Sequence, residues 1–297
     1  MATVSDGLAR RRSSVYRDIV TVILAYMGAA AILAWSSFFV IFRRRTHSEA
    51  TSRGRAIMIQ LDWLLVMGLP LVGLAHVGIG SFLSMQAYFG AIFTEGTGAV
   101  VGVGLVRNMA PMLTGLVLSV MQSTRTVAEL RRRNERGLDH DPESIPDRGE
   151  SSIQGITDPA LLTFTRIVAA ALAGPILAVW GATVGTLVGW AAAKSMLGIS
   201  DASFFMRFFD MLWVRDVIGL VLKGSGFAAM GALFACHEGL LGATDSKCDL
   251  DTISRAAFRS IVCSTLLILL FNAVWFMLVY VSGPPFGPTL LRPPTRG

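Results

Sequence analysis

Apolar residues gather into six runs, at about 18–42, 61–85, 106–124, 160–193, 215–241 and 258–282, and polar, arginine-rich stretches separate them. As a helix, each run is long enough to cross roughly 30 Å of hydrocarbon. A soluble core would instead alternate apolar and polar positions with helical or strand periodicity. The pattern predicts an all-α polytopic membrane protein.

The arginines decide which runs cross. Arg10, Arg11, Arg12 and Arg17 precede the first run, and Arg43, Arg44, Arg45, Arg53 and Arg55 follow it. Were it to span, one of these clusters would lie outside, against the positive-inside bias. The first run is therefore expected to be an interfacial helix or elbow with both ends in the cytoplasm. Five spans then alternate. Segments 43–60, 125–159 and 242–257 lie inside, the second with Arg125, Arg131, Arg132, Arg133, Arg136 and Arg148. Segment 86–105, without Lys or Arg, lies outside, as do 194–214 and the Pro-rich tail. In 194–214, Lys194 and Arg207 are offset by Asp201 and Asp210, whereas Arg292 and Arg296 in the tail run against the bias. Three regions result: an N-terminal arm with its interfacial helix (1–57), a transmembrane domain (58–283) with a polar cytoplasmic insert at 134–157, and a tail (284–297).

Composition sharpens this picture. The 297 residues are 53% hydrophobic and 15% charged, with mean hydropathy +0.58; soluble domains carry about 25% charged residues. The net charge of +6 is spent at the ends of apolar runs and forms no groove-tracking patch, so no nucleic-acid partner is expected. Cys236, Cys248 and Cys263 have no metal-ligand spacing, and their odd number argues against a closed disulfide framework. The first run exceeds the apolar part of a signal peptide, and no small-residue cleavage site follows it.

Chemistry is concentrated in a few places. Arg107 and Asn108 open the third run, at the outer mouth, and an intramembrane arginine costs roughly 2.5–3.5 kcal/mol on insertion scales. Gln86 and Tyr88 close the second run on the same side, and Lys223 lies a turn or two inside the fifth. Two cations at one depth suit a phosphate, with apolar walls for acyl chains; alternatively both snorkel to the outer headgroups. In the fourth run Gly181, Gly185 and Gly189 recur every four residues, for close packing within the chain or across a dimer seam. Pro175 in the same run is expected to kink it. His76 suits a hydrogen-bonded contact between helices. Cys236-His237-Glu238-Gly239 lacks a further His or carboxylate at helical spacing, so an interface suits it better than a metal.

The ungapped stretch from Arg107 to Leu130 resembles the signature of the MlaE/YrbE family of lipid-transport ABC permeases. The family pattern R-E-L-G-P-x-L-T-x-L, followed by A-E-L-G, is met by Arg107, Pro111, Leu113, Thr114 and Leu116, then Ala128-Glu129-Leu130. Gln86-Ala87-Tyr88 resembles the family's Q-G-Y, and Lys223 with Phe227 its I-K-S-x-x-F. Cys236-His237-Glu238-Gly239 resembles C-Y-x-G, and Thr157-Asp158-Pro159 with Arg166 resembles a later D-P and P-R. Asn108 departs, standing where the family has Glu. The usual coupling helix also departs, replaced by Arg131 to Arg136 and the insert.

The resemblance covers about residues 55–282. It implies an interfacial element plus five spans in a bacterial cytoplasmic (inner) membrane. It also implies a permease, homo- or heterodimeric, for phospholipid or another hydrophobic substrate. Arg107, Asn108, Lys223, Gln86 and Tyr88 are the implied substrate site, and Arg125, Glu129, Leu130, Arg132 and Arg136 the implied ATPase-coupling set. No G-x4-G-K-[ST] motif is present. The chain is thus expected to be a transport subunit and no enzyme, with no cofactor of its own. ATP and Mg would belong to a partner ABC ATPase, alongside an MCE-domain lipid-binding partner. The rival readings are an ATPase-independent scaffold or secondary transporter of the same fold, and a lipid-modifying enzyme. The spans offer the enzyme no carboxylate pair, His cluster or Ser/His/Asp set.

Overall fold

A computed structural model describes residues 2–40, 47–90, 97–138, 158–241 and 249–281. Eight α-helices occupy them: α1 (Ala2–Phe39), α2 (His47–Gly90), α3 (Thr97–Gly104), α4 (Ala110–Leu138), α5 (Pro159–Leu197), α6 (Asp201–Met211), α7 (Val214–Leu241) and α8 (Leu250–Phe276). π-helical turns at Leu105–Met109 and Met277–Val281 join α3 to α4 and extend α8. No strand occurs among the described residues, and six helical segments are long and apolar enough to cross a membrane. Segments 139–157 and 282–297, which hold most of the insert and the tail, lie outside the described residues.

Local chemistry fixes the helix ends. Asp158 caps α5 by accepting from the Ala160 N–H at 3.0 Å, with Pro159 at the first helical position, where its missing N–H costs nothing. At the other end Gly198 takes φ +64°, a left-handed conformation that a side chain resists. The 39 residues of α5 span about 58 Å, well beyond the hydrocarbon thickness. The helix runs through Pro175 without interruption.

Helix α5 is the hub, packed against α2 and α7, while α4 packs on α7 and α8. Small residues make this possible. A Cβ on Gly174 would stand 2.2 Å from the carbonyl oxygen of Gly224, so α5 and α7 touch backbone to backbone. On the opposite side, a Cβ on Gly181 would meet the His76 ring at 2.5 Å, and one on Gly80 would meet the Gly185 oxygen at 2.9 Å. The glycine repeat of the fourth run thus packs within the chain. His76 is fully buried there, with Nδ1 2.7 Å from the Val72 carbonyl.

Two expectations are corrected. Segments 86–105 and 194–214 are not plain loops: α3 and α6 occupy them. Helix α6 turns Phe204 and Phe208 inward onto α3, and a Cβ on Gly102 would touch the Phe208 ring at 3.0 Å. Its aromatic spacing, two buried rings four residues apart, is a short amphipathic pattern that the surrounding apolar runs obscure. Likewise, helix is not lost after Leu130, because α4 continues to Leu138.

The first helix is continuous from Ala2, and its apolar part, Thr21–Phe39, is long enough to span. Its packing partners, however, lie at one end of the bundle. Tyr26 stacks on Phe234 at 6.2 Å and meets the edge of His237 at 4.7 Å. Leu33 packs against Leu130, Leu162 and Cys236. These residues sit at the end of α4, the start of α5 and the end of α7, all cytoplasmic by the arginine bias. The middle of the apolar part of α1 therefore lies level with the inner ends of the other helices, where an interfacial element belongs and where the centre of a span does not.

Candidate functional site

At the outer end the chain builds a charged cluster around one broken hydrogen-bond ladder. In a regular α-helix the carbonyl of Arg107 would accept from the N–H of residue 111, but Pro111 has none. The backbone here widens into the π turn Leu105–Met109, a distortion often found at functional sites. Lys223 of α7 supplies the missing donor, with Nζ 2.6 Å from the Arg107 carbonyl oxygen. A second acceptor is Asn272 Oδ1 of α8, at 3.4 Å. Asn272 in turn points its amide nitrogen at Met112 Sδ, 3.7 Å away. Lys223 is 1% exposed, so its ammonium faces inward and does not snorkel to the headgroups.

The guanidinium of Arg107 is held by Asp216. Nε lies 3.0 Å from Oδ1 and Nη2 2.9 Å from Oδ2, a bidentate pair. Asp216 is the third residue of α7, and its Oδ2 also accepts from the Trp213 N–H at 3.0 Å, the backward reach of a capping box. The Tyr280 hydroxyl, from the π turn after α8, donates to Oδ1 at 2.6 Å. Arg107 lies 5.0 Å from the centre of the Trp213 ring and 5.1 Å from that of Tyr280, while Arg215 lies 3.7 and 5.0 Å from the same rings. Arg215 also donates to the Val279 carbonyl at 3.3 Å.

The structure therefore brings Lys223 onto the Arg107 carbonyl, with Asn108 next in the chain, and corrects the picture of two uncommitted cations. Arg107 carries a counter-ion, whereas no carboxylate lies within ion-pair distance of Lys223 among the described residues. The amide oxygen of Asn108 is buried without a hydrogen-bond donor among them. Gln86 is exposed near the end of α2 and makes no hydrogen bond to this cluster. The Tyr88 side chain lies outside the described residues. Sequence reasoning missed Asp216, Trp213, Tyr280 and Asn272. An acid in the first turn of a span, level with an intramembrane arginine, was the available signal for Asp216.

The inner end is chemically different. Glu129 Oε2 pairs with Arg166 at 2.8 Å, its Oε1 with Arg133 at 3.3 Å, and Arg166 also donates to Thr126 Oγ1 at 2.6 Å. The Arg125 guanidinium sits 4.2 Å from the centre of the Trp63 ring. Leu130 is buried against Gly239, where a Cβ would approach Leu130 Cδ1 to 2.7 Å. Glu129 and Leu130 thus hold α4 to α5 and α7, while Arg132 stands exposed. The Arg136 side chain lies outside the described residues. Glu238, 1% exposed, pairs with Arg259 of α8 at 3.0 Å, which settles the Cys236–Gly239 stretch as an interhelical contact.

The model of the family described as Permease MlaE matches residues 57–138 and 150–278. The chain belongs to the MlaE permease family. Its similarity extends to a probable ABC transporter permease protein of Rickettsia typhi, 25% identical over 220 residues, covering 73% of this chain and 80% of that one. A probable ABC transporter permease protein of Synechocystis is 26% identical over 207 residues, covering 69% and 71%. This MlaE permease is therefore the transmembrane permease of an ABC transporter and a multi-pass protein of the bacterial inner membrane. Glu129, Arg166 and the outer cluster except for its Val279 and Tyr280 contacts fall inside the matched segments.

Proposed function

We propose that this permease moves phospholipid or another hydrophobic, headgroup-bearing molecule, with the Arg107–Lys223 cluster as its headgroup site. The observation that carries the reading is Lys223, an ammonium buried at the edge of the hydrocarbon whose hydrogen-bond acceptors among the described residues are both neutral oxygens. Burying an unpaired charge is costly, and an anionic ligand is the natural compensation. Asn108 completes the site; Gln86 and Tyr88 belong to it through the resemblance of their motif.

In this reading a separate ABC ATPase docks on the inner face through the basic end of α4, with Arg132 and Arg136 as its contacts and Arg125, Glu129 and Leu130 setting the pose. ATP and Mg bind that partner. An MCE-type protein receives or delivers the lipid, and a second permease copy completes the assembly.

The test is native mass spectrometry of the purified chain, comparing wild type with Arg107→Ala/Lys223→Ala and with Lys223→Gln. Asp201→Asn, at an exposed residue that pairs with Lys194 (2.9 Å) and has no contact with the cluster among the described residues, is the control. The expected result is copurifying phospholipid lost from Arg107→Ala/Lys223→Ala, reduced in Lys223→Gln and kept in the control. The same lipid on all four proteins overturns the site.

A further inference from the structure

The outer cluster has room for a negative charge and none for a positive one, and that asymmetry bears on which lipid it accepts. Every described carboxylate at this end is engaged. Asp216, fully buried, takes Arg107, the Tyr280 hydroxyl and the Trp213 N–H. Asp201 takes Lys194 and the Trp190 N–H at 2.9 and 3.1 Å. Asp210 has an interaction of its own. Aromatic faces are the other receptor for an ammonium group, and here Trp213 and Tyr280 each already carry two guanidiniums, those of Arg107 and Arg215.

The cations are less evenly matched. Arg107 has its carboxylate, whereas among the described residues Lys223 donates to only the Arg107 carbonyl and the Asn272 amide oxygen. Among Arg107, Lys223 and Asp216 one positive charge is left over. A phosphate on this cluster is attracted by that excess. The amine of a zwitterionic headgroup, only a few bonds from its phosphate, is brought among Lys223, Arg107 and Arg215 with no carboxylate to receive it. Asn108 adds a different preference: its buried amide oxygen lacks a donor among the described residues. A hydroxyl satisfies such an acceptor without bringing charge.

We propose that this cluster selects anionic lipids whose headgroup is a phosphate bearing hydroxyls and no amine, in preference to zwitterionic amine-bearing lipids. The proposal rests on the reading of the cluster as a headgroup site and adds the substrate class.

The full-length protein in detergent is equilibrated with equimolar phosphatidylglycerol and phosphatidylethanolamine of identical acyl chains, and bound lipid is counted by native mass spectrometry. Phosphatidylglycerol is expected in excess by about tenfold, the scale of one charge-assisted hydrogen bond. Lys223→Gln brings the ratio to within about twofold of parity, and Asn108→Asp, which supplies a carboxylate for an amine, raises phosphatidylethanolamine. Asn108→Asp leaves the Lys223 contacts in place, so it decides the matter even if Lys223→Gln does not fold. Equal occupancy in the wild type overturns the selectivity while leaving a lipid site. No lipid of either kind overturns the site as well. Loss of the phosphatidylglycerol excess in millimolar inorganic phosphate assigns the cluster to free phosphate and overturns the lipid class.

Discussion

Replacing Asp216 with Asn isolates the ion pair at the heart of the outer cluster with almost no change in shape. The carboxylate is 0% exposed and accepts from Arg107 Nε and Nη2, the Tyr280 hydroxyl and the Trp213 N–H. An amide keeps one acceptor oxygen and turns an NH2 group toward donors of which only the Tyr280 hydroxyl can also accept. It also leaves the Arg107 charge without a counter-ion beside Lys223. Breaking a buried pair on one side costs about 3–5 kcal/mol. The Arg107 side chain is 26% exposed, and water reaching it places the loss near the lower end, about 3 kcal/mol. At roughly 2–4 °C per kcal/mol for chains approaching this size, the melting temperature in detergent falls by about 6–12 °C. Thermal unfolding followed by size-exclusion chromatography measures it. Arg107→Gln in the Asp216→Asn background then restores much of the loss, with a coupling of about 2 kcal/mol in the double-mutant cycle. Strictly additive losses refute the argument, because they mean that Arg107 and Asp216 do not depend on each other.

Gly174→Leu drives a side chain into the Gly224 backbone, 2.2 Å from where its Cβ would stand, so the variant is expected to yield almost no monodisperse protein; ordinary yield in an expression screen contradicts the α5–α7 contact. Ser119→Ala with Ser264→Ala removes a hydroxyl pair between α4 and α8, and is expected to lower stability by only about 0.6–1.7 kcal/mol, the range for hydrogen bonds between membrane helices, read by thermal unfolding. Arg132→Glu, on an exposed inner residue, is expected to reduce copurifying ATPase several-fold at unchanged melting temperature, whereas Glu129→Gln lowers stability through Arg166; pull-down with thermal unfolding separates the two. At the outer end, the Lys194 hydrogen bond first and the Trp190 N–H second hold Asp201 below the usual carboxylate range. A depressed folded value means that this contribution is present at neutral pH and fades only as the pH falls through the acidic range. The melting temperature of wild type relative to Asp201→Asn should therefore stay flat between pH 6 and 8.

Much of the fold is written in run length and arginine placement. A stretch such as 215–241 can only be a helix in a bilayer, and the arginine clusters at 10–17 and 43–55 argue for an interfacial α1 at the same inner level where Tyr26 and Leu33 find their partners. The short helices α3 and α6 escaped because run length says nothing of segments too short to span. Of the site, Arg107 and Lys223 were legible because a charge inside an apolar run is conspicuous. Asp216 and Tyr280 were not, since each lies where a run ends and polar residues are ordinary. What joins them is the crossing of α7 with α4 and α8, and no linear spacing records it. Pro111 was visible all along, yet its consequence, a free carbonyl four residues back, needed Lys223 in place to be read.

The two kinds of helix contact divide the bundle mechanically. Helices α2, α5 and α7 meet through Gly174, Gly181 and Gly185, with backbones so close that any relative slide drives a neighbour's side chain into a carbonyl. Packing of that kind has few alternatives, because interiors at this density give way in discrete steps. Helix α8 is held differently. Against α4 it offers Ser260 to Ser123 at 2.8 Å, and Ser264 to Ser119, while Ser264 also donates to its own Ser260 carbonyl at 2.7 Å. Hydroxyls with a partner on their own helix lose little when the neighbouring helix withdraws. The same helix carries Asn272 and leads to Tyr280, the residues that complete the Lys223 and Asp216 contacts. The outer cluster is thus built half on a tightly locked core and half on a helix whose contacts to α4 include pairs of serine hydroxyls. A change in where α8 sits alters the acceptors around the buried ammonium, because Asn272 moves with it.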